Sequence, residues 1–457
     1  MKIIIAGLDQ AGILLADLLS KEEHDVVVID KNPKKVDYVT DKYNVSGVCG
    51  NSVSPETLQR AGADTADVCV ALTGSDETNL CICLLAKSQG TRFAAAQITK
   101  QELTERQECI RKEFRVDYLL TPKEDTATEI ARHIGLPGNV RADGFFSSDT
   151  VLIRVAIQGG SSFVNMPLRE VRTFFGTDLL VGIVERAGKV LIPDGAVVLK
   201  EGDEVGFVVP HDSLNIVMEK LGIIRERVKK VLIIGGGDVA VSLAEKLVSE
   251  KKKVTILDND SARCAVLAQK LPKVTVSCAR EIDAQVLVEE GIGSADVCVS
   301  LTGRDDTNLV LSMFAWSCGV GSIITKVNSA SYERLLNRVN IDITISPVLI
   351  VVERILRFIR DVSVPNEAGN DIACMYRIAG GKAEAIEFVV YDDFRACGIP
   401  LKSPEFKRKK EILIATIVRG GKVMLADGSS QIHPGDHVVV ITHKNSGLTT
   451  INDILTR

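Results

Sequence analysis

The sequence predicts an α/β protein: two doubly wound parallel sheets, each followed by a small α+β module. Three observations predict it. An apolar run, Val231-Leu232-Ile233-Ile234, breaks at Gly235-Gly236-Gly237 and passes through Asp238-Val239-Ala240 into helical spacing. That is a strand, a tight turn and a helix with G-x-G-x-x-A at the turn, the pattern of a dinucleotide-binding unit. Next, Thr255-Ile256-Leu257 reads as a strand ending at Asp258, where an acidic residue is expected about 20 residues on to bond ribose hydroxyls. Last, the plan occurs twice. Gly7 pairs with Gly235 and Asp30 with Asp258, each 228 apart, while Thr73 pairs with Thr302 and Asn79 with Asn308, each 229 apart. Pro122 pairs with Pro347 at 225, and Asp194 with Asp427 and Gly202-Asp203 with Gly435-Asp436 at 233. Offsets this steady imply a duplicated two-domain unit, not a short solenoid repeat.

In the first unit Lys2–Ala6 reads as a strand, Ala11–Leu19 as a helix and Asp25–Ile29 as a strand ending at Asp30. Val45–Cys49, Val68–Leu72, Phe93–Ile98 and Val116–Leu120 follow as strands, with helices at Pro55–Ala61 and Glu77–Ser88 between them. Strands that are apolar throughout and alternate with helices indicate a parallel sheet covered on both faces. Thr121-Pro122 then opens a helix, as N-cap and first helical residue. From Phe146 the texture changes: strands at Val151–Ile157, Leu179–Glu185 and Val205–Val209 and a helix at Leu168–Phe174 are separated by turns at Gly159-Gly160, Asp194-Gly195 and Gly202-Asp203. A charged linker, Arg225–Lys230, leads into the second unit, which repeats this plan to about Asn340, with a polar linker at Val364–Asp371. The domains read from these patterns are residues 1–135, 144–224, 228–361 and 372–457.

After Pro347, Leu349, Val352, Ile355, Leu356 and Ile359 form an apolar helix face, with Arg354, Arg357 and Arg360 opposite. Such a helix packs on its own sheet or on a partner domain, and amphipathicity alone does not separate the two.

A net charge of −5 argues against a nucleic-acid binder, which shows a basic face. No stretch approaches the roughly 18 apolar residues of a membrane span, and Met1-Lys2-Ile3 runs straight into a strand without a leader pattern. Eleven cysteines, an odd number in a long chain, point to reduced thiols buried as small apolar residues. Cys81 and Cys83 do not have zinc spacing.

Two stretches carry a resemblance: Ala71-Leu72-Thr73-Gly74-Ser75-Asp76-Glu77-Thr78-Asn79, and its echo Ser300-Leu301-Thr302-Gly303-Arg304-Asp305-Asp306-Thr307-Asn308. With Thr121-Pro122 and Ser346-Pro347 opening matching helices, the whole chain resembles the tandem RCK (KTN) domains of the TrkA family, peripheral subunits of Trk potassium-uptake systems. The resemblance implies an RCK N-terminal Rossmann-like domain and an RCK C-terminal domain in each unit. It implies NAD(H) as cofactor with ATP or ADP as alternatives, and a homo-oligomer, dimer or tetramer, forming a ring. It implies a separately encoded integral-membrane potassium transporter as partner, and a cytoplasmic location on the inner face of the membrane. It also tilts the helix after Pro347 toward partner packing.

Candidate binding residues follow unit by unit. In the second, Gly235, Gly236, Gly237, Asp238 and Val239 form the turn, Asp258 faces the ribose, Thr302 and Gly303 end the fourth strand, and Lys326 takes the family's basic position near the phosphates. In the first, the turn is Gly7, Leu8, Asp9, Gln10 and Ala11, followed by Gly12, with Asp30 at the ribose position, Thr73 and Gly74 after the fourth strand, and Gln97 where the cation belongs. Asp9 replaces the middle glycine and adds negative charge. The second unit departs after strand three, where Cys278-Ala279-Arg280 stands against Gly50-Asn51-Ser52. The second site is expected to bind nucleotide better. Both acids favour NAD over NADP, because a carboxylate repels a 2′-phosphate, but they do not separate NAD from ATP or ADP.

No acid–base constellation stands out. His24, His133, His211, His433, His437 and His443 are not shared between units, and His433 and His437 flank a Pro-Gly-Asp turn. The expectation is a non-enzymatic regulatory subunit that gates a transporter by nucleotide-driven conformational switching. The rivals are an NAD-dependent dehydrogenase with duplicated Rossmann domains and a free-standing nucleotide sensor.

Overall fold

The computed structural model describes residues 1–21, 24–134, 140–145, 150–157, 159, 161, 163–210, 213–221, 228–279, 283–329, 343–363, 371–379, 382–420, 422–444 and 446–456. Phe146, Gly160, His211, Arg280, Asn340, the linker residues 225–227 and 364–370, and residues 135, 224 and 457 at domain ends lie outside them.

The first domain runs β1 (Lys2–Ala6), α1 (Gln10–Lys21), β2 (Asp25–Asp30), α2 (Pro33–Lys42), β3 (Ser46–Cys49), α3 (Pro55–Arg60), β4 (Val68–Ala71), α4 (Asp76–Gln89), β5 (Phe93–Gln97), α5 (Gln101–Thr104), α6 (Gln107–Glu113), β6 (Tyr118–Leu120) and α7 (Pro122–His133). Its strands are parallel in the order β3-β2-β1-β4-β5-β6. Ile3, Ile4 and Ile5 are all fully buried, because helices cover both faces. Local chemistry starts the helices: Asn32 and Ser75 accept from the backbone N–H groups of Lys34 and Thr78, and Pro33 and Pro55 fix the first turns.

A small module follows: β7 (Val140–Phe145), β8 (Thr150–Ala156), α8 (Leu168–Phe175), β9 (Leu180–Arg186), β10 (Lys189–Leu191), β11 (Glu204–Pro210) and α9 (Leu214–Lys220). Its antiparallel order is β10-β9-β11-β8-β7. β7 begins at Val140, and its Val-Arg-Ala-Asp-Gly-Phe sequence carries no clean alternation.

The second parallel domain comprises β12 (Lys230–Ile234), α10 (Asp238–Ser249), β13 (Lys253–Asp258), α11 (Ser261–Lys270), β14 (Thr275–Cys278), α12 (Ala284–Glu289), β15 (Val297–Ser300), α13 (Asp305–Ser317), β16 (Ser322–Lys326), β17 (Ile343–Ile345) and α14 (Pro347–Ser363). Its strand order, β14-β13-β12-β15-β16-β17, repeats the first. The last module has β18 (Ile372–Ile378), β19 (Ala383–Val389), β20 (Ile412–Arg419), β21 (Lys422–Leu425) and β22 (His437–His443), in the antiparallel order β18-β19-β22-β20-β21.

The chain divides into two compact units: residues 1–132 with 229–363, and 133–228 with 364–457. In the first, α14 leaves its own sheet. Val351, Val352, Ile355, Phe358 and Ile359 join the core of the first domain with Leu15, Leu19 and Val26, and Phe358 stacks on Tyr118 with ring centroids 5.0 Å apart. Each such buried side chain contributes about 2 kcal/mol. Arg354, read as part of the polar side, instead pairs with Asp125 of α7 at 2.9 Å. In the second unit the two small sheets pack face to face through Leu152, Ile183, Ile378, Ala385 and Val439. A methyl on Gly182 would lie 2.8 Å from Ile441 Cδ1, so a larger residue here would make the Ile441 side chain shift.

The repeated Gly-Asp pairs do more than turn the chain. Asp203 and Asp436 are each 1% exposed and are bound through both oxygens by Arg186 and Arg419. The Arg186 hydrogen bond holds the Asp203 carboxyl below its usual range, against burial. The two arginines are also 233 residues apart. The cysteines divide as well: Cys69, Cys83, Cys264 and Cys298 are buried as expected, but Cys49, Cys81, Cys109, Cys278 and Cys397 are exposed. Among the described residues no helix is long and apolar enough to cross a membrane, and no cluster of metal-ligating side chains forms.

Candidate nucleotide crevices

Doubly wound sheets bind ligands where the strand order reverses, at the carboxyl ends. Here those points are the β1/β4 and β12/β15 crevices. Gly7 and Gly235 open them with φ of 108° and 104°. A methyl on either would sit within 2.9 Å of backbone in the loop after the fourth strand, Leu72 in one case and Leu301 in the other. These two glycines are therefore fixed by the fold itself.

Asp30 and Asp258 end β2 and β13, as predicted. Asp30 Oδ2 accepts from the Leu8 N–H at 2.9 Å and Oδ1 from Asn32 at 2.8 Å. Asp258 Oδ2 accepts from Gly236 and Oδ1 from Asp260 at 2.9 Å. Each carboxylate thus ties the glycine turn to the loop after the second strand. Thr73 and Thr302 donate to Asn79 and Asn308 at 2.6 Å, and each threonine N–H reaches the same Oδ1 at 2.8 Å. The asparagine amides then donate to the Gln97 and Lys326 carbonyls. The matched aspartates, Asp76 and Asp305, accept backbone N–H groups of Thr99 and Lys100 and of Asn328 and Ser329. The repeated D-[DE]-T-N motif is therefore the brace of the crevice, satisfying buried backbone groups.

The turns differ. A Cβ on Gly237 meets nothing within 4 Å, so the backbone is open to an approaching phosphate, and Gly303 is equally open. Asp9 takes the Gly237 place in the first turn, with Lys35 Nζ 2.8 Å from its carboxylate. That hydrogen bond raises the Lys35 pKa, and the charge expected to repel phosphate is partly neutralised. Leu8 is fully buried, whereas a Cβ on Gly236 would meet Leu267 Cδ1 at 2.5 Å. Leu267 stands 228 residues after the smaller Val39, so each half fills the same space from a different side.

Around the second turn Arg263 donates through Nε to the Gly236 carbonyl and through Nη2 to Asp238, both at 2.8 Å. Lys123 reaches Asp238 at 2.6 Å. Lys123 first and Arg263 next hold the Asp238 carboxyl below its usual range. The sequence reading missed Lys35, Arg263 and Lys123. The first two had a signal, a basic residue five after the acid in both units; Lys123 had none, since its contact joins two domains.

Lys326 ends β16, half-buried. Nζ is 3.5 Å from the Leu301 carbonyl, and no carboxylate lies within ion-pair distance among the described residues. Burial pulls its pKa down, with only the more distant Asp305 opposing. Gln97 occupies the same place in the first domain without charge. Gln10, Ala11 and Val239 continue into α1 and α10, and Gly74 is exposed beside Thr73. The strand registers correct one reading: Asp30 pairs with Cys49 and Asp258 with Cys278, so Ala279, not Cys278, replaces Gly50. Cys278 is the counterpart of Cys49.

The TrkA-N domain family matches residues 3–122 and 231–347, and the TrkA-C domain family matches 152–222 and 385–453. The chain belongs to the TrkA family. It is 30% identical over 445 residues to the Trk system potassium uptake protein TrkA of Vibrio alginolyticus, covering 96% of this chain and 95% of that protein. The Haemophilus influenzae protein of the same name matches equally, and the Archaeoglobus fulgidus TrkA homolog is 27% identical over 440 residues, covering 96% and 97%. Among solved structures, the GsuK channel bound to NAD aligns with a TM-score of 0.63 at 15% identity, over 97% of this chain and 76% of that one. The GsuK RCK domain aligns at 0.61 and 16%, over 97% and 92%. These likenesses establish the fold, in which both TrkA-N segments carry a glycine turn, an acid at the end of the second strand and an Asn brace.

Proposed function

We propose that this TrkA-family chain is a nucleotide-responsive regulatory subunit of a Trk-type potassium-uptake system. It acts from the cytoplasmic face on a separate membrane transporter and works as a homo-oligomeric ring. Nucleotide is bound and released without turnover. The carrying observation is Lys326: a half-buried ammonium with no carboxylate partner among the described residues, on the same crevice as the open Gly237 turn. Holding such a charge away from water is costly unless an anion meets it. Phosphates at the end of α10 would also meet free helix N–H groups. Asp258 would accept from the ribose diol, which makes NAD(H) the first ligand to test and ATP or ADP the alternatives. A ligand that favours one ring arrangement shifts its population only by its differential affinity.

Calorimetric titration with NADH, NAD, ATP and ADP tests this on the intact chain and on Asp258→Ala and Asp30→Ala. Loss of binding mainly in Asp258→Ala is expected. Loss mainly in Asp30→Ala would reverse the ranking of the two sites, and no binding by any of the four would overturn the nucleotide switch. Constant NADH fluorescence with hydroxy- and amino-acid co-substrates is expected; turnover would mark a dehydrogenase.

A further inference from the structure

Near the start of α11, Cys264 is buried, with Sγ 3.8 Å from both the Asp258 and the Ser277 carbonyl oxygens. Cys278 ends β14, exposed and in register with Asp258. Ser277 donates to Glu290 on the α12 side, so strand alternation turns Cys278 to the opposite face, toward α11. There Cys278 adjoins Cys264, whose Sγ lies against the carbonyl of Ser277, one residue before it. The first domain has no such pair: Val36 stands at the Cys264 position and Cys49 at the Cys278 position. A buried cysteine alone is ordinary core filler. One that adjoins a second, solvent-facing thiol, at the end of the strand paired with the one that bears Asp258, is chemically different.

We propose that Cys264 and Cys278 form a reversible oxidation site of the second domain, closing a disulfide that weakens nucleotide binding there. The oxidant class is a peroxide. The exposed Cys278 thiolate attacks a peroxide oxygen and the O–O bond breaks; with hydrogen peroxide this yields a sulfenic acid and, after protonation, water. Cys264 sulfur then attacks the Cys278 sulfur and the S–OH bond breaks. The Cys264 proton goes to the departing hydroxide as a second water. Two thiols supply two electrons and two protons, and the peroxide is reduced. Burial pushes the Cys264 thiol up to about 12, which protects it from direct attack and leaves Cys278 as the entry point. The cross-link pins α11 to the strand end beside Asp258, whose carboxylate aims the Gly236 and Asp260 N–H groups. The effect on nucleotide, but not the cross-link, rests on the function proposed above.

The test oxidises the intact chain with hydrogen peroxide, blocks remaining thiols and maps peptides by mass spectrometry. A Cys264–Cys278 peptide pair is expected, released by dithiothreitol and absent in Cys278→Ser. Val36→Cys, which sets a thiol against Cys49, is expected to gain a second cross-link. Oxidation of Cys278 to sulfinic acid with Cys264 still free would overturn the pair. NADH affinity is expected to fall about fivefold or more on oxidation and to stay constant in Cys264→Ala; an equal loss in that variant would overturn the coupling. If the reduced chain binds no nucleotide, the functional reading and the coupling fail together, and the peptide map still decides the thiol pair.

Discussion

The β1/β4 and β12/β15 crevices share one brace and differ in their lining. Asn79 and Asn308, Asp76 and Asp305, and Gly7 and Gly235 hold the same contacts in both. Asp9 faces Gly237, Gln97 faces Lys326, and Leu8 faces Gly236 across the duplication. A buried brace is hard to vary, because each lost partner orphans backbone groups. The lining side chains satisfy no such backbone groups, so their types are free to differ between the halves: Leu8 fills core, while Asp9 is exposed. The comparison teaches that fold-bearing and ligand-bearing parts of one motif come apart after duplication.

The largest effect should break the shared part. Asn79→Ala and Asn308→Ala each strand a threonine N–H and a strand-end carbonyl, and each is expected to cost about 3 kcal/mol in urea unfolding. Unequal losses would show that the braces are not equivalent. Next comes α14: Ile355→Ala should cost about 3 kcal/mol through the cavity it leaves in the first domain, seen in the same unfolding curves. Lys326→Gln makes the second crevice like the first. It should weaken NADH binding about tenfold while stabilising the free chain by about 1 kcal/mol at neutral pH. The sign follows from the depressed pKa. The folded chain holds that proton less tightly than the unfolded one, so the cost is full below the folded pKa and vanishes as pH rises past the ordinary 10.5. The stabilisation by Lys326→Gln should therefore shrink in alkali, as thermal melts across pH would show. The smallest effect is Asp9→Gly, which frees Lys35 and opens the first turn. Nucleotide affinity at that site should rise about threefold; no change would mean that Gln97, not Asp9, sets the weakness.

Much of this was legible in the chain. The Gly turns, Asp30 and Asp258 stand at fixed local distances, and a parallel domain needs its strands apolar on both faces. Lys326 stands 18 residues after Asn308, as Gln97 stands 18 after Asn79. Arg263 and Lys35 were equally countable but lacked a motif to draw attention to them. β3 and β14 are short and carry weak alternation, so only hydrogen-bond register aligns Cys278 with Cys49 and Ala279 with Gly50.

By itself the sequence determined the duplication, the two doubly wound sheets and the chemical contrast between the two turns, because these depend on local spacing and residue type. Tertiary structure alone decided that α14 leaves its sheet for the first domain, that Lys123 reaches Asp238, that Arg186 and Arg419 clamp buried aspartates, and that Cys264 packs on the ends of β13 and β14 beside Cys278. The physical reason is common to all four. Each is a contact between groups distant in sequence, fixed by the packing of whole elements, and no local periodicity records it.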